Sequence, residues 1–460
     1  MLRTGTWIIL KIAFFTSLAL LCAGIFAASC ASATAKIYKE IDSAVSNDDF
    51  ASAVNIIIKG QEKRNAVYSE KNSILLFLDK GLLEHYAGNY AVSSADLQNA
   101  ERLIEEAYTK SISENFFSYI LNDNVKEYPG EDFENIYLNV FNALNYYHRG
   151  NLEGALVEIR KLSGQSGKLN MLSRRYEYID PDSGENLNDY AKRETGVMQI
   201  PETKSVNFSN SALARFLCAL FYLGEGDKNS ARIEFDQVYS AYNMNRNIYR
   251  SAVPNAVEQA RNVPEGKARL NIISFTGLSP VKEQQLVIEF LPFQHPILQV
   301  AFFKLPILVK RPSLINRIEV TVEEQGSFNL ELIEDIGAVI EETYIARFSN
   351  IFAKTYIRTI IKYAVADVLA IVTAESQDEL AGLFVALAAR AGMDASESAD
   401  IRMSRYLPDN AYIGGINLDP GIYKVYINYY NGDLFISGDK FDNVIIDKDR
   451  LNLLQSVNLK

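Results

Sequence analysis

From about Lys36 to Tyr242, apolar residues recur at the three-and-four spacing of amphipathic helices, and the pattern breaks repeatedly at glycine turns. The clearest unit runs from Leu75 to Glu106: a helix, the turn Tyr86-Ala87-Gly88-Asn89-Tyr90, then a second helix carrying Leu97 and Ala100. The same order returns around Gly150, with Ala155, Ile159 and Leu162 following, and around Gly226, with Ala231, Phe235 and Val238. A weaker copy starts at Asn47-Asp48-Asp49-Phe50 and carries Ile57. Two polar stretches, 115–130 and 163–210, read as insertions. After Pro264-Glu265-Gly266 the period changes from helical to alternating. Ala268–Thr276, Gln285–Phe290, Ile297–Val309 and Ile318–Val322 predict strands, a helix is expected over Leu330–Thr373 and another over Glu379–Ala391. Tyr412–Asn417, Ile422–Tyr430 and Asp433–Ser437 return to strand, with Asn431-Gly432 as a type I′ hairpin signal. The expected architecture is therefore multi-domain α+β: a segment 1–29 before the folded part, a helical domain over 30–262 and an α+β domain over 263–460.

The glycine-centred helix pairs resemble the tetratricopeptide repeat. Small residues in the first helix (Gly81, Ala143, Ala219) let its mate approach, and small residues early in the second (Ser93, Ala155, Ala231) permit contact. Leu97, Ile159 and Phe235 fill the gap between units. Regular copies recur about every 34 residues, whereas these turns lie farther apart, so the resemblance implies a TPR-like solenoid interrupted by loops. In such arrays the first helices line a concave protein-binding face. His85, Tyr86, Tyr147 and His148 fall there, either as a docking surface or as packing against the next helix.

Charge and cysteine content narrow the setting. The net charge is −11 and no basic cluster appears, which argues against a nucleic-acid partner. Arg3 and Lys11 precede an uncharged apolar run, Ile12–Phe26, and small residues follow: the shape of an export signal. Cys30, directly after Ala27-Ala28-Ser29, resembles the lipobox cysteine of bacterial lipoproteins, although Ala27 stands where leucine is usual. The resemblance implies a diacylglycerol-modified Cys30 and, with Ala31 beside it, outer-membrane sorting toward the periplasm. Cleavage after Ala33 or Ala35, giving a soluble exported protein, and an uncleaved anchor are the alternatives. Cys22 lies inside the signal, which leaves Cys218 without a partner for a disulfide. Its apolar surroundings predict an inert buried thiol.

Two further segments, Gly277–Glu283 and Ala399–Pro408 followed by Leu418–Tyr423, resemble a family of bacterial lipoproteins with N-terminal TPR-like helices and a C-terminal α+β domain. That family carries an Asp-x-Arg-x-Trp segment before Leu-Pro; here Asp400-Ile401-Arg402 matches its start and no Trp follows before Leu407-Pro408. The resemblance implies an envelope address and the two-part layout, and supplies no catalytic residues.

Catalytic and metal signatures are missing from the sequence. The three histidines (His85, His148, His295) have no ligand-like spacing, and no nucleophile elbow or phosphate loop occurs. Asp180–Ala191 departs from a calcium loop at its glycine and at its closing residue. Lys282, Asp400 and Arg402 are the best polar candidates, read either as an active site or as salt bridges and caps. The expected function is a membrane-anchored, non-enzymatic scaffold for envelope proteins, with no metal or soluble cofactor. An envelope enzyme, or a lipid or glycan carrier with a pocket in the α+β half, is the alternative.

Overall fold

The computed structural model describes residues 35–61, 68–111, 126–163, 168–171, 208, 210–290, 300–376 and 398–460. Cys30, Cys22, the calcium-like segment, most of the 163–210 insertion, His295 and the expected helix at 379–391 lie outside these residues.

The helical half begins with α1 (35–46) and α2 (Phe50–Gln61). Three antiparallel pairs follow: α3 (Ser73–Tyr86) with α4 (Tyr90–Ser111), α5 (Asp132–His148) with α6 (Leu152–Ser163), and α7 (Ala212–Glu225) with α8 (Lys228–Met244). Each pair turns at its predicted glycine. Gly88, Gly150 and Gly226 hold φ of +79°, +71° and +85°, a region that favours glycine. A Cβ on Gly81 would stand 2.8 Å from Leu97 Cδ2, so this position sets how closely α3 and α4 meet. Ser93 Oγ donates to the Gly81 carbonyl at 2.6 Å in the same contact. Side-chain caps start the later helices: Ser211 accepts from Ala214 N, Asp227 accepts from Ser230 N, and Glu131 with Glu134 forms a capping box. Neighbouring pairs stack in chain order, and Leu97, Ile159 and Phe235 are buried between helices.

A short helix α9 (Asn255–Arg261) ends the helical half, and strand β1 begins at Ala268. The three runs expected at 268–309 resolve into two long strands, β1 (Ala268–Phe290) and β2 (Val300–Arg311). The first half of β1 lies between antiparallel β6 (Pro408–Leu418) and parallel β9 (Asn452–Asn458). At Gly277, with φ +65° and Ser313 packed against it, β1 leaves β9 and continues with β2. A second, antiparallel sheet has the order β4-β3-β7-β8, from Gly326–Asn329, Arg317–Val322, Gly421–Asn431 and Leu434–Ile446. The β7–β8 hairpin forms where Asn431-Gly432 predicts it. Its loop residues are Gly432 and Asp433, however, and only the glycine has positive φ, which matches a type II′ rather than a type I′ turn.

One element differs from expectation. Glu331–Asp335 is strand β5, paired with β6, and the long helix α10 starts at Ile336 and runs to Ser376. Tertiary pairing overrides helical propensity here, because Glu331 caps the amides of Asn255 and Ala256 while Glu334 is drawn into the interior.

The fold class is thus mixed α+β, and the change from helix to strand falls between Arg261 and Ala268. The main core ignores that change. Phe141 of α5 packs on Phe275 of β1 at a centroid distance of 5.0 Å, and Ile273, Ile333, Met403, Tyr406 and Leu453 join the helical residues in one cluster. A second core, with Ile272, Val320 and Ile427, fills the space between the sheets.

Beyond Gln284, whose Oε1 accepts from Ala399 N of the chain leading to β6, the β1–β2 hairpin carries α10 on one face. Phe303 and Leu305 meet Tyr356, with Phe303 stacked on Tyr356 at 5.2 Å, and Val287, Phe348 and Phe352 complete a small third core. We call this hairpin and helix the arm. No described helix is long and apolar enough to cross a membrane.

Candidate functional site

The polar candidates meet where residues 399–407 cross the helical half as a strap. Asp400 accepts from Arg402 Nε at 2.8 Å and from Arg402 N at 3.1 Å. Arg402 also donates to Lys126 O and lies over the Tyr128 ring. Lys282 Nζ bonds Glu131 at 2.6 Å and reaches Arg402 O at 3.5 Å. Lys282, Asp400 and Arg402 therefore do converge, as the active-site reading requires. Each is engaged by a neighbour, and the cluster fastens the strap to the α5 cap. Arg402 and the nearby Lys282 hold the Asp400 carboxyl below its ordinary range against the cost of burial.

Two carboxylates that sequence reasoning missed anchor the next turn of the strap. Asp79 accepts from Tyr68 OH at 2.7 Å, Ser404 Oγ at 2.8 Å and Arg405 N at 2.9 Å. Glu134 accepts from Ser404 N at 2.6 Å, Glu131 N at 2.8 Å and Tyr128 OH at 2.9 Å. Burial pushes Asp79 up to about 6 and Glu134 up to about 7, despite these donors. The strap closes on α1, where Arg405 and Tyr406 OH bond Asp42, and on α3, where Tyr86 OH donates to Tyr406 O.

At the other end of the same helices lies β9. Gln455 bridges both helical histidines: its Nε2 donates to His85 Nε2 at 2.6 Å and its Oε1 accepts from His148 Nε2 at 2.8 Å. The bond to His85 leaves Nδ1 as the donor to Asn145 Oδ1 at 2.7 Å, which assigns both tautomers from the network. Tyr147 OH donates to Leu451 O at 3.0 Å and accepts from Leu453 N. Burial lowers both imidazoles, His85 to about 3, so both are neutral. This corrects the docking-surface expectation. His85 is 2 % exposed, and Tyr86, Tyr147 and His148 bond the chain's own strap and β9, so in this structure the face expected to receive a partner holds the α+β half.

A third carboxylate works in the opposite direction. Glu334, on β5, accepts from Tyr249 OH at 2.6 Å, Tyr137 OH at 2.6 Å, Ser211 Oγ at 2.8 Å and Leu213 N at 3.1 Å, all from the helical half. With these three carboxylates, every hydrogen-bond donor at hand is a neighbour of the fold itself. Their chemistry is fastening: fully coordinated carboxylates joining two halves of one chain.

Cys218 is buried in α7 near Ile159 O, and burial raises its thiol, which keeps it protonated. Among the described residues no group of three or more His, Cys, Asp or Glu side chains is placed to hold a metal ion. The missed carboxylates left only a faint trace in the sequence: Asp79 interrupts the apolar run Leu75–Leu82, and Glu134 completes a Glu-x-x-Glu capping box. No protein-family model, curated protein or solved structure matches this chain.

Proposed function

We propose that the chain is a lipid-anchored envelope scaffold without catalytic activity. Its glycine-turned helix pairs act as degenerate tetratricopeptide units, and Cys30 carries the lipid. One observation supports this reading above the others. The residues best suited to chemistry, from Lys282, Asp400 and Arg402 to Asp79, Glu134 and His85, are spent on joining the two halves. A framework that fixes its own concave face presents rigid outer surfaces instead. Val157 on α6 and Ile233 on α8, about half exposed at equivalent places after Ala155 and Ala231, are two such positions.

Two measurements test the reading. Labelled palmitate is incorporated by the native chain and lost in Cys30→Ala, which also leaves the membrane fraction; retention of label by the variant overturns the anchor. Photo-crosslinkers at Val157 and Ile233 capture one envelope protein above the level seen from an exposed control such as Glu258. Recovery equal to that control overturns the scaffold.

A further inference from the structure

The arm leaves the body at the end where the lipid would be attached. Helices α1, α3 and α5 run parallel. The strap runs along them from Glu134 near the start of α5, past Asp79, to Tyr86 at the end of α3, with Tyr38 beneath Arg405. Their C-terminal ends meet β9 and the residues after it, through Asp48 on Lys460 and His85 and His148 on Gln455. Helix α10 starts beside Glu334, which is bonded to Tyr137 within α5, and by Arg347 it has reached Glu131 and Asp132 at the α5 N-terminus. It therefore runs antiparallel to α5 and passes out at the N-terminal end. Lys282, also on Glu131, marks the same exit for the β1–β2 hairpin.

Lengths turn this placement into a constraint. From Cys30 to the start of α1 at residue 35, the chain can reach at most about 18 Å, at roughly 3.5 Å per residue. Beyond Arg347, α10 continues to Ser376, which is about 43 Å at roughly 1.5 Å per residue. With this end of the body turned toward the bilayer, a tether that short brings the arm to the membrane surface.

The surface of the arm suits that contact. Register pairs Ile288 with Phe302 and Leu286 with Lys304, so these four share one face of the hairpin. The alternate residues Phe303 and Leu305 face α10 and are buried. On the outward face Leu286 is 53 % and Ile288 58 % exposed. An outward apolar face at the anchored end suits the headgroup boundary of a bilayer.

We propose that the outer face of the arm, centred on Leu286 and Ile288, lies in the headgroup region of the bilayer that carries the Cys30 lipid, as a second, non-covalent membrane contact. This rests on the anchor reading and extends it. The test uses the mature lipidated protein in vesicles of phosphatidylethanolamine and phosphatidylglycerol, with a polarity-sensitive fluorophore on Ile288→Cys or, separately, Leu286→Cys. The buried Cys218 thiol does not compete for the label. Phe435→Cys, on the exposed strand β8 of the second sheet, is the control. The expected result is a blue-shifted label at 288 and 286, quenched severalfold more by doxyl lipids than the label at 435, with an acylated Cys30 in the mass spectrum. Acylated protein whose arm labels stay as wet as the control overturns the arm contact alone. Labels that become buried with rising protein density but escape lipid quenching assign the face to a second copy and overturn it equally. An unmodified Cys30 overturns the anchor and the arm contact together.

Discussion

Between the helix pairs and the sheet, Asp79, Glu134 and Glu334 are each held by three or more donors, and Gln455 ties two neutral histidines. Along the arm, Phe303, Leu305 and Tyr356 form a small apolar cluster, while Leu286 and Ile288 stay in the open. The first region is directional. Each bond fits one arrangement of the two halves, and an unmade bond leaves a buried polar group unsatisfied. The second region rests mainly on apolar contacts, which carry no directional preference, with Tyr344 on Pro306 O and Lys310 on Glu341 beside them. The difference teaches where this molecule is fixed: specificity is invested in its own assembly, and the arm keeps Leu286 and Ile288 exposed on its outer face.

The comparison can be broken most forcefully at Glu334. Replacing it with Ala strands two tyrosine hydroxyls, a serine hydroxyl and an amide in the interior, and should cost about 3–5 kcal/mol of global stability in denaturant unfolding. Glu334→Gln, which keeps one acceptor oxygen, should lose clearly less. A loss confined to β5, with the rest of the body unchanged, would show that the two halves are separable after all.

In the arm, Phe303→Ala should remove roughly 3 kcal/mol of local protection, because a fully buried ring leaves a cavity. Hydrogen exchange should report this in β2 and α10 and leave β9 and the α5 amides as they were. Equal losses in both places would make the arm part of the same cooperative unit.

A smaller, pH-dependent effect belongs to the strap. Asp79 and Glu134 have native values of about 6 and about 7, above their unfolded values. The native state thus keeps protons that the unfolded chain releases. Their contribution is fullest below about pH 4 and declines as pH rises through 6 to 7. Once intrinsic exchange rates are corrected, Ser404 and Arg405 amides should be better protected at pH 5 than at pH 8, and Asp79→Asn with Glu134→Gln should flatten the profile. The lowered His85 opposes this trend in global unfolding, since its contribution is lost as pH falls from about 6.5 toward 3, so the local readout is the decisive one. The smallest stability effect belongs to Leu286→Lys, which should stay within about 0.5 kcal/mol of the native protein because the side chain is exposed.

The sequence made local elements legible and left long-range commitments dark. Gly88, Gly150 and Gly226 announce their turns because a left-handed backbone needs a particular residue, and the burial of Leu97, Ile159 and Phe235 follows from helical period. The same period misassigned Leu330–Asp335, since nothing within six residues reveals that β6 is waiting to pair with it. For the site, Lys282, Asp400 and Arg402 were found as polar interruptions and do converge. Asp79 and Glu334 were passed over because their donors come from segments hundreds of residues away or across the helix–strand change. The His85/Tyr147 face is covered by the chain's own β9. That the chain would fill this face itself is a property of β9, which local reading cannot connect to it.

The parallel strand β9 also sets a timetable. Gln455 meets His85 370 residues downstream, and the strap reaches Asp79 from 325 residues away. Synthesis delivers a chain in order, so α1 to α8 can emerge and pair while their inner face, with His85, Phe141 and Tyr147, still waits for its cover. During that interval the molecule exposes the aromatic face that its finished form buries. A chaperone that recognises aromatic surface has its window there, and the window shuts when the last strand slides in beside β1.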